Sequence, residues 1–273
     1  MEVIRIKTIR LRGTLSQGVL LPISQFPELK DCTEGTDVTN QLHVQHYDEI
    51  SLPFQGNVVQ LFSGSRGPFP LFIPKTDEER IQNLDAYFET MKGRCFEITA
   101  KDDGTSMTAY YSPSMHNSDP FRVCSRNYDL KPDEPSSLWE IARKYRLEEK
   151  LKSTSRELAF QGELVGPGIN GNNDLYTSFE WHVFRIWDIS RACYLEARER
   201  RNLCAELGIP HVQVIDTCCR IFDCFSSMEK LLTFAEGKTL RGHEREGLVC
   251  KETGTEHPVT FKVVSNRYLL KHR

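Results

Sequence analysis

The chain has 273 residues, 39% hydrophobic and 27% charged, enough to bury a sizeable core as one large domain or one domain with a small module. A formal net charge of −3 excludes a generally basic nucleic-acid coat but leaves room for a local cationic groove. Nine irregularly spread cysteines, with no secretory segment or apolar run of membrane-spanning length before them, predict a reduced intracellular, cytoplasmic protein with no membrane partner.

In chain order, Ile4 to Leu11 alternates in the strand manner, Gly13 to Gly18 reads as a polar turn, and Val19 to Ile23 as a second strand. Two strands do not close a barrel. Residues 24 to 52 are polar and read as a linker or peripheral structure, with Asp31 to Asp37 loop-like and His43 and His46 able to share a helix face. After the apolar run Phe69 to Pro74, the stretch Thr76 to Glu79 predicts a capped, acidic start to a short helix through Asn83.

Phe96 to Tyr111 is a β-prone run, a polar break and a second β-prone run, predicting a hairpin with Asp102, Asp103 and Gly104 in the turn and Lys101 at a strand end. A lysine held there is a nucleophile if desolvation or nearby cations partly deprotonate it; the alternative is a surface turn. Phe121 to Asn127 begins as a strand and ends in Ser125, Arg126 and Asn127. A capping box at Ser137 to Glu140 starts an amphipathic helix over residues 138 to about 151.

Glu157 to Val165 is a strand carrying Glu163, followed by a tight loop over Gly166 to Asn172. Trp181 to Ile189 is an apolar strand containing Phe184. A helix over Leu195 to Leu207, stopped by Gly208 and Pro210, has an exposed face bearing Arg198, Arg200 and Arg201. His211 to Ile215 is another strand, and Ser226 to Glu229 caps a helix that stops at Gly237. Cys218, Cys219 and Cys224 contain no CxxC pair and do not predict zinc; no G-x-x-x-x-G-K-[ST] loop is present.

Near the carboxyl end, Glu246 stands before the β-prone run to Lys251, and Lys262 lies inside the run Val259 to Lys271. Charges among apolar strand residues are costly unless paired or bound to phosphate. Lys101, Glu163, Glu246 and Lys262 are therefore the four informative ionisable groups, if their strands converge.

In this order the segments resemble the nucleotidyltransferase core of the ATP-dependent RNA ligases. Lys101 to Gly104 is similar to motif I, Ser125 to Asn127 to motif Ia, Glu163 to Gly166 to motif III, Phe184 to Asp188 to motif IIIa, Glu246 to Lys251 to motif IV, and Lys262 to motif V. Lys7 to Gly13, Ser16 to Gly18, Pro74 to Asn83 and Phe261 to Lys271 resemble the branch typified by the Naegleria and Deinococcus enzymes. Nearly the whole chain is covered. The resemblance implies an α+β fold, an ATP-grasp-like nucleotidyltransferase core of antiparallel sheets flanked by helices over residues 46–273. A partial or reduced OB-like module would occupy residues 1–45.

It also implies roles. Lys101 would attack the α-phosphorus of ATP and form lysyl-AMP. Asp103, Glu163 and Glu246 would surround a hydrated divalent ion, magnesium or possibly manganese, or the AMP ribose. Arg126 and Asn127 would lie near the nucleotide and the RNA end, Phe184 would stack on adenine, and Lys262 and Arg80 would face the phosphates. The partner would be RNA with 5′-phosphate and 3′-hydroxyl ends, in a nick, bound by a monomer. Ala100 and Arg185 stand where these ligases usually carry a glutamate and an aspartate. With only the closing part of the expected OB domain ahead of residue 30, self-adenylation is expected to survive better than nick sealing. The competing classes are an mRNA guanylyltransferase, which would load GMP, and a non-catalytic nucleotide- or RNA-binding module.

Overall fold

The computed structural model describes residues 9–11, 14–16, 22–30, 32–39, 41–42, 64–132, 136–255 and 258–272. The chain divides into two units, Met1–Ser63 and Gly64–Arg273. In the first, β1 (Ile9–Leu11) pairs antiparallel with β2 (Thr14–Ser16). The turn expected over Gly13 to Gly18 thus contains the second strand, and Ile23–Gln25 is a 3-10 turn rather than a strand end. His43, His46 and the expected boundary at residues 45 and 46 lie outside the described residues.

The second unit opens with β3 (Ser65–Pro68), β4 (Glu79–Arg80) and the short α1 (Tyr87–Thr90). Next come β5 (Phe96–Lys101), β6 (Thr105–Tyr111), β7 (Phe121–Cys124) and β8 (Tyr128–Leu130), then α2 (Ser137–Lys144) and α3 (Leu147–Ser153). They are followed by β9 (Leu158–Val165), β10 (Glu180–Asp188), β11 (Cys193–Tyr194), α4 (Ala197–Glu206) and β12 (Val214–Cys219). The chain ends with α5 (Ile221–Cys224), α6 (Met228–Ala235), β13 (Gly247–Glu252), β14 (Thr260–Val264) and α7 (Asn266–His272).

Two sheets result. One has seven strands in the order β11-β10-β9-β6-β7-β8-β3; the other has five, β12-β5-β13-β14-β4. Among the described strands all pairings are antiparallel except β14 with β4, so the five-stranded sheet is mixed. This corrects the expected hairpin: β5 and β6 belong to different sheets, and the Lys101 turn carries the chain from one to the other. No local pattern distinguishes a hairpin turn from a crossing turn of the same length.

Period-two alternation sorts the faces. Phe96, Ile98, Leu248, Cys250, Phe261 and Val263 form an apolar layer on one face of the five-stranded sheet, with Phe222 and Leu231 packed on it. The intervening residues, Glu97, Thr99, Lys101, Lys251 and Lys262, take the other face. In the seven-stranded sheet, Met107, Ala109, Val123, Phe160, Trp181 and Val183 belong to the core beneath α2 and α3. That leaves Ser106, Thr108, Gln161 and Glu163 on the opposite face.

Several expected elements differ. The helix foreseen through Asn83 is strand β4 and a 3-10 turn, Ile81–Asn83, because Arg80 pairs with Lys262. The helix foreseen over 138–151 is two helices, broken at Arg146, whose φ of 53° is left-handed; the cap is Ser136, accepting from the Leu138 N–H at 3.2 Å. Ser227 likewise caps α6. The strand expected at His211 to Ile215 is registered three residues later as β12, and the run Val259 to Lys271 turns helical at Asn266. Arg200, expected on an exposed face, is 3% exposed.

Candidate active site

Lys101 ends β5 opposite Gly247, the first residue of β13. Gly247 has to be glycine: a Cβ there would lie 2.2 Å from Val263 O, inside van der Waals contact. This close approach sets Glu246 just off the strand end, where its Oε2 accepts from Lys101 Nζ at 2.5 Å. Gly104 does the same on the other sheet, since its Cβ would meet Leu164 O at 2.3 Å and Glu163 Cγ at 2.9 Å. The two glycines thus let the Lys101 turn press against the strands that carry the two glutamates.

Glu163 is held among charges. Burial pushes its carboxyl up, Asp102 and Glu246 push it the same way, and Lys101 and the Gly104 N–H oppose them, leaving it at about 8. Lys262 is displaced downward by burial first and by Lys101 next. Its parallel neighbour on β4 is Arg80. The structure therefore gathers Lys101, Glu163, Glu246, Lys262 and Arg80 around one strand end.

The other expected site residues are placed as follows. Asp103 accepts from Tyr268 Oη at 2.5 Å, Asn173 Nδ2 at 3.0 Å and Asn170 Nδ2 at 3.3 Å, which ties the turn to α7 and to the loop after β9. Arg126 donates to both oxygens of Asp77 at 2.7 and 2.8 Å. Asn127 Oδ1 accepts from Lys75 Nζ at 2.9 Å. Phe184 sits at the bulge of β10 between Val183 and Arg185; its carbonyl accepts from Lys251 Nζ at 3.1 Å, and the same ammonium lies 5.8 Å from its ring centre. Ala100, buried at 5% exposure, donates its N–H to Gln213 O at 2.8 Å.

Sequence reasoning missed three features. His182 Nδ1 pairs with Asp102 Oδ2 at 2.8 Å; burial lowers its basicity, but Asp102 and Glu180 outweigh this and raise it. The only signal was one histidine in an apolar strand. Lys251 is buried and pushed down to about 7 by burial, then by Arg200 and Arg185. Glu97, fully buried, receives Arg200 and Arg201.

Raised titration of Glu163 has a sign that can be tested in metal-free protein. An ordinary carboxyl near 4.5 ionises in the unfolded chain while Glu163 in the fold stays protonated up to about 8. The unfolded state therefore releases its proton first, and this group's contribution to stability is lost as pH rises from 4.5 to 8. Thermal midpoints measured across that window are expected to fall in the wild type and to fall less in Glu163→Gln. Parallel slopes for the two proteins would refute the shift.

Residues 94–264, more than half of the chain, match the RNA ligase family model. An apo mutant of Naegleria gruberi RNA ligase superposes with a TM-score of 0.71 at 37% identity, over 98% of this chain and 76% of that one. The same enzyme with pyrophosphate gives 0.70 at 38% over the same shares. A mutant of it with ATP and manganese gives 0.71 at 37% over 98% and 77%. The search of curated proteins found no match. The family model and these solved structures make this a nucleotidyltransferase. Within that class the chain belongs to the RNA ligase family, enzymes that form phosphodiester bonds. Its fold is a mixed α/β core of antiparallel and mixed sheets flanked by helices.

Proposed function

We propose that the chain is an ATP-dependent RNA ligase that adenylates itself on Lys101, passes AMP to an RNA 5′-phosphate and seals it to a neighbouring 3′-hydroxyl, in a nick. The observation that carries this reading is the contact of Lys101 with Glu246 beside Glu163 and Lys262. Lys101 attacks the α-phosphorus as the free amine, forming the N–P bond as the bond to pyrophosphate breaks. Glu246 Oε2 is the group in contact with the ammonium proton that must leave. Lys262 and Arg80 face the charge that develops on the phosphates. Phe184 offers its ring to adenine, steadied through its carbonyl by Lys251.

Glu163 and Glu246, with Asp103 on the adjoining turn, would hold a divalent ion. The fit is chemical: the donors are all oxygen, and a carboxyl held up near 8 by burial and by neighbouring carboxylates is relieved by a cation. Among the described residues no three His, Cys, Asp or Glu form a ready-made metal cluster, so water and phosphate oxygens would complete the shell. Such an ion supplies positive charge to the phosphates and favours the neutral amine. Magnesium and manganese both suit this donor set.

The test is a 5′-labelled nicked RNA duplex incubated with the protein, magnesium and either ATP or GTP. Sealing with ATP, accompanied by a protein-bound nucleotide and an adenylated RNA intermediate, is the expected result. A covalent adduct with GTP alone would favour guanylyl transfer, and no adduct with either nucleotide would favour a binding module.

A further inference from the structure

His182 stands on β10 directly opposite Glu163 of β9. Its neighbours Trp181 and Val183 are fully buried in the core beneath α2 and α3, which fixes the backbone on either side of it. The intervening side chain therefore leaves the sheet on the Glu163 face. There Nδ1 meets Asp102 Oδ2 at 2.8 Å, and since a carboxylate oxygen only accepts, Nδ1 is the donor. Nε2 lies 3.4 Å from Glu180 Oε2 on the same strand. None of the roles derived above uses His182.

Asp102 is the residue after the proposed nucleophile. Lys101 ends β5 in the five-stranded sheet and His182 belongs to the seven-stranded one, so the bond joins the strand end that carries the lysine to the wall that carries Glu163. The rest of the turn is tied separately. Asp103 receives Tyr268, Asn173 and Asn170, and Gly104 packs closely against Glu163 and the Leu164 carbonyl. Asp103 can lose one donor and keep two. The Asp102 side chain, 12% exposed, has His182 as its one hydrogen-bond partner among the described residues.

Charge makes this placement matter as much as distance does. Asp102 is close enough to Glu163 for its charge to weigh on that carboxyl, and the phosphates of a nucleotide are anionic as well. A carboxylate beside the nucleophile repels them unless it is held aside. The imidazole N–H does this while leaving Lys101 Nζ in contact with Glu246.

We propose that His182 is a positioning residue for the nucleophile: by binding Asp102 across the two sheets it fixes the turn from which Lys101 attacks and holds the Asp102 carboxylate away from the phosphates. The inference rests on the RNA-ligase reading. His182 acts through Asp102 on Lys101, so its effect belongs to lysine adenylation and not to strand joining from a pre-adenylated nick, which makes no bond to Lys101.

The test compares two single-turnover rates in each protein, lysyl-AMP formation at saturating ATP and the sealing of a pre-adenylated RNA nick. His182→Phe keeps a ring and removes the donor; His182→Asn keeps a donor near the place of Nδ1 and removes the ring. His182→Phe is expected to slow adenylation by at least about tenfold and sealing by no more than about threefold, while His182→Asn adenylates within about threefold of wild type. Asp102→Ala is expected to match His182→Phe, and the double variant to be no more than about twofold slower than either, because both changes break one contact. If His182→Phe does not fold, Asp102→Ala, on the turn and outside the core strands, takes its place in the comparison of the two steps. Adenylation that stays within about threefold of wild type, equal slowing of both steps, or losses that multiply in the double variant overturn the proposal while leaving the ligase reading intact. A wild type that forms neither lysyl-AMP nor a sealed strand overturns the ligase reading and this inference with it.

Discussion

Lys101→Ala protein mixed with magnesium and α-labelled ATP is expected to carry no label after denaturation, where the wild type carries up to one AMP per chain. The expected effect is total because no other described lysine has the same surroundings. Lys262 lies on the same sheet face, but two strands away from Lys101 and two residues back from the strand end, beside Arg80. Lys251 is buried and bound to the Phe184 carbonyl. Among the described lysines only Lys101 has a glutamate oxygen at 2.5 Å and a turn that brings it from one sheet to the other. A covalent step has no partial substitute when the nucleophile is removed, in contrast to a lost hydrogen bond. Lys92→Ala, which removes an exposed partner of Glu89, is the control and should label normally. The wild-type bond should be labile to acid and to hydroxylamine, as a phosphoramidate is. Undiminished label on Lys101→Ala would move the nucleophile elsewhere and undo the proposed mechanism.

The residues of the candidate site were legible because chemistry and close packing leave few choices there. Lys101, the proposed nucleophile, stands with Glu163, Glu246 and two glycines at points where a Cβ would strike a backbone oxygen, residue types that read as motifs. The strand faces were also legible, since Phe96, Ile98 and Ala100 alternate with Glu97, Thr99 and Lys101 in the period of a pleated strand. Pairing was not. The turn Asp102 to Gly104 has hairpin composition, yet its two strands find partners far along the chain, β13 and β9, and only tertiary packing decides that. The same limit explains Arg200: a helix with three arginines reads as solvated, and nothing nearby announces the glutamate 103 residues earlier that draws one of them into the interior. His182 and Asp102 are 80 residues apart and were invisible as a pair for the same reason.

Glu97→Ala is expected to be the most destabilising single substitution among the polar residues behind the site, by about 3–5 kcal/mol. Glu97 has no exposed surface, and its two oxygens take Arg200 and Arg201 from α4. Lys251 is its cross-strand neighbour on β13. Burial alone would push the Glu97 carboxyl up, but Arg200, Lys251 and Arg201 together outweigh it and hold the group below its ordinary range. His211, pushed down to about 4 by burial and then by Arg200, is neutral at pH 7. Its Nδ1 donates to Val212 O at 2.6 Å, leaving Nε2 to accept from Arg200 Nε at 3.0 Å. Removing the carboxylate strands buried positive charge without a counter-ion, a far larger loss than deleting an exposed ion pair. Arg201→Ala, at the half-open edge of the cluster, should cost no more than about 1 kcal/mol.

Two measurements check this. Urea unfolding at pH 7 should show the large loss for Glu97→Ala and the small one for Arg201→Ala, against a total stability of about 5–15 kcal/mol for an ordinary domain. A pH series supplies the sign: a carboxylate depressed in the fold contributes stability above its unfolded value, near 4.5, and loses it as pH falls through the lower folded value. The wild type should therefore lose stability below pH 4.5 faster than Glu97→Gln. Because Lys251 also holds the Phe184 carbonyl, the loss of Glu97 should reach the nucleotide site, weakening ATP more than the folding loss alone explains. A Glu97→Ala protein within 1 kcal/mol of wild type would mean that the buried arginines find other partners and that α4 is fastened to the five-stranded sheet by its apolar contacts instead.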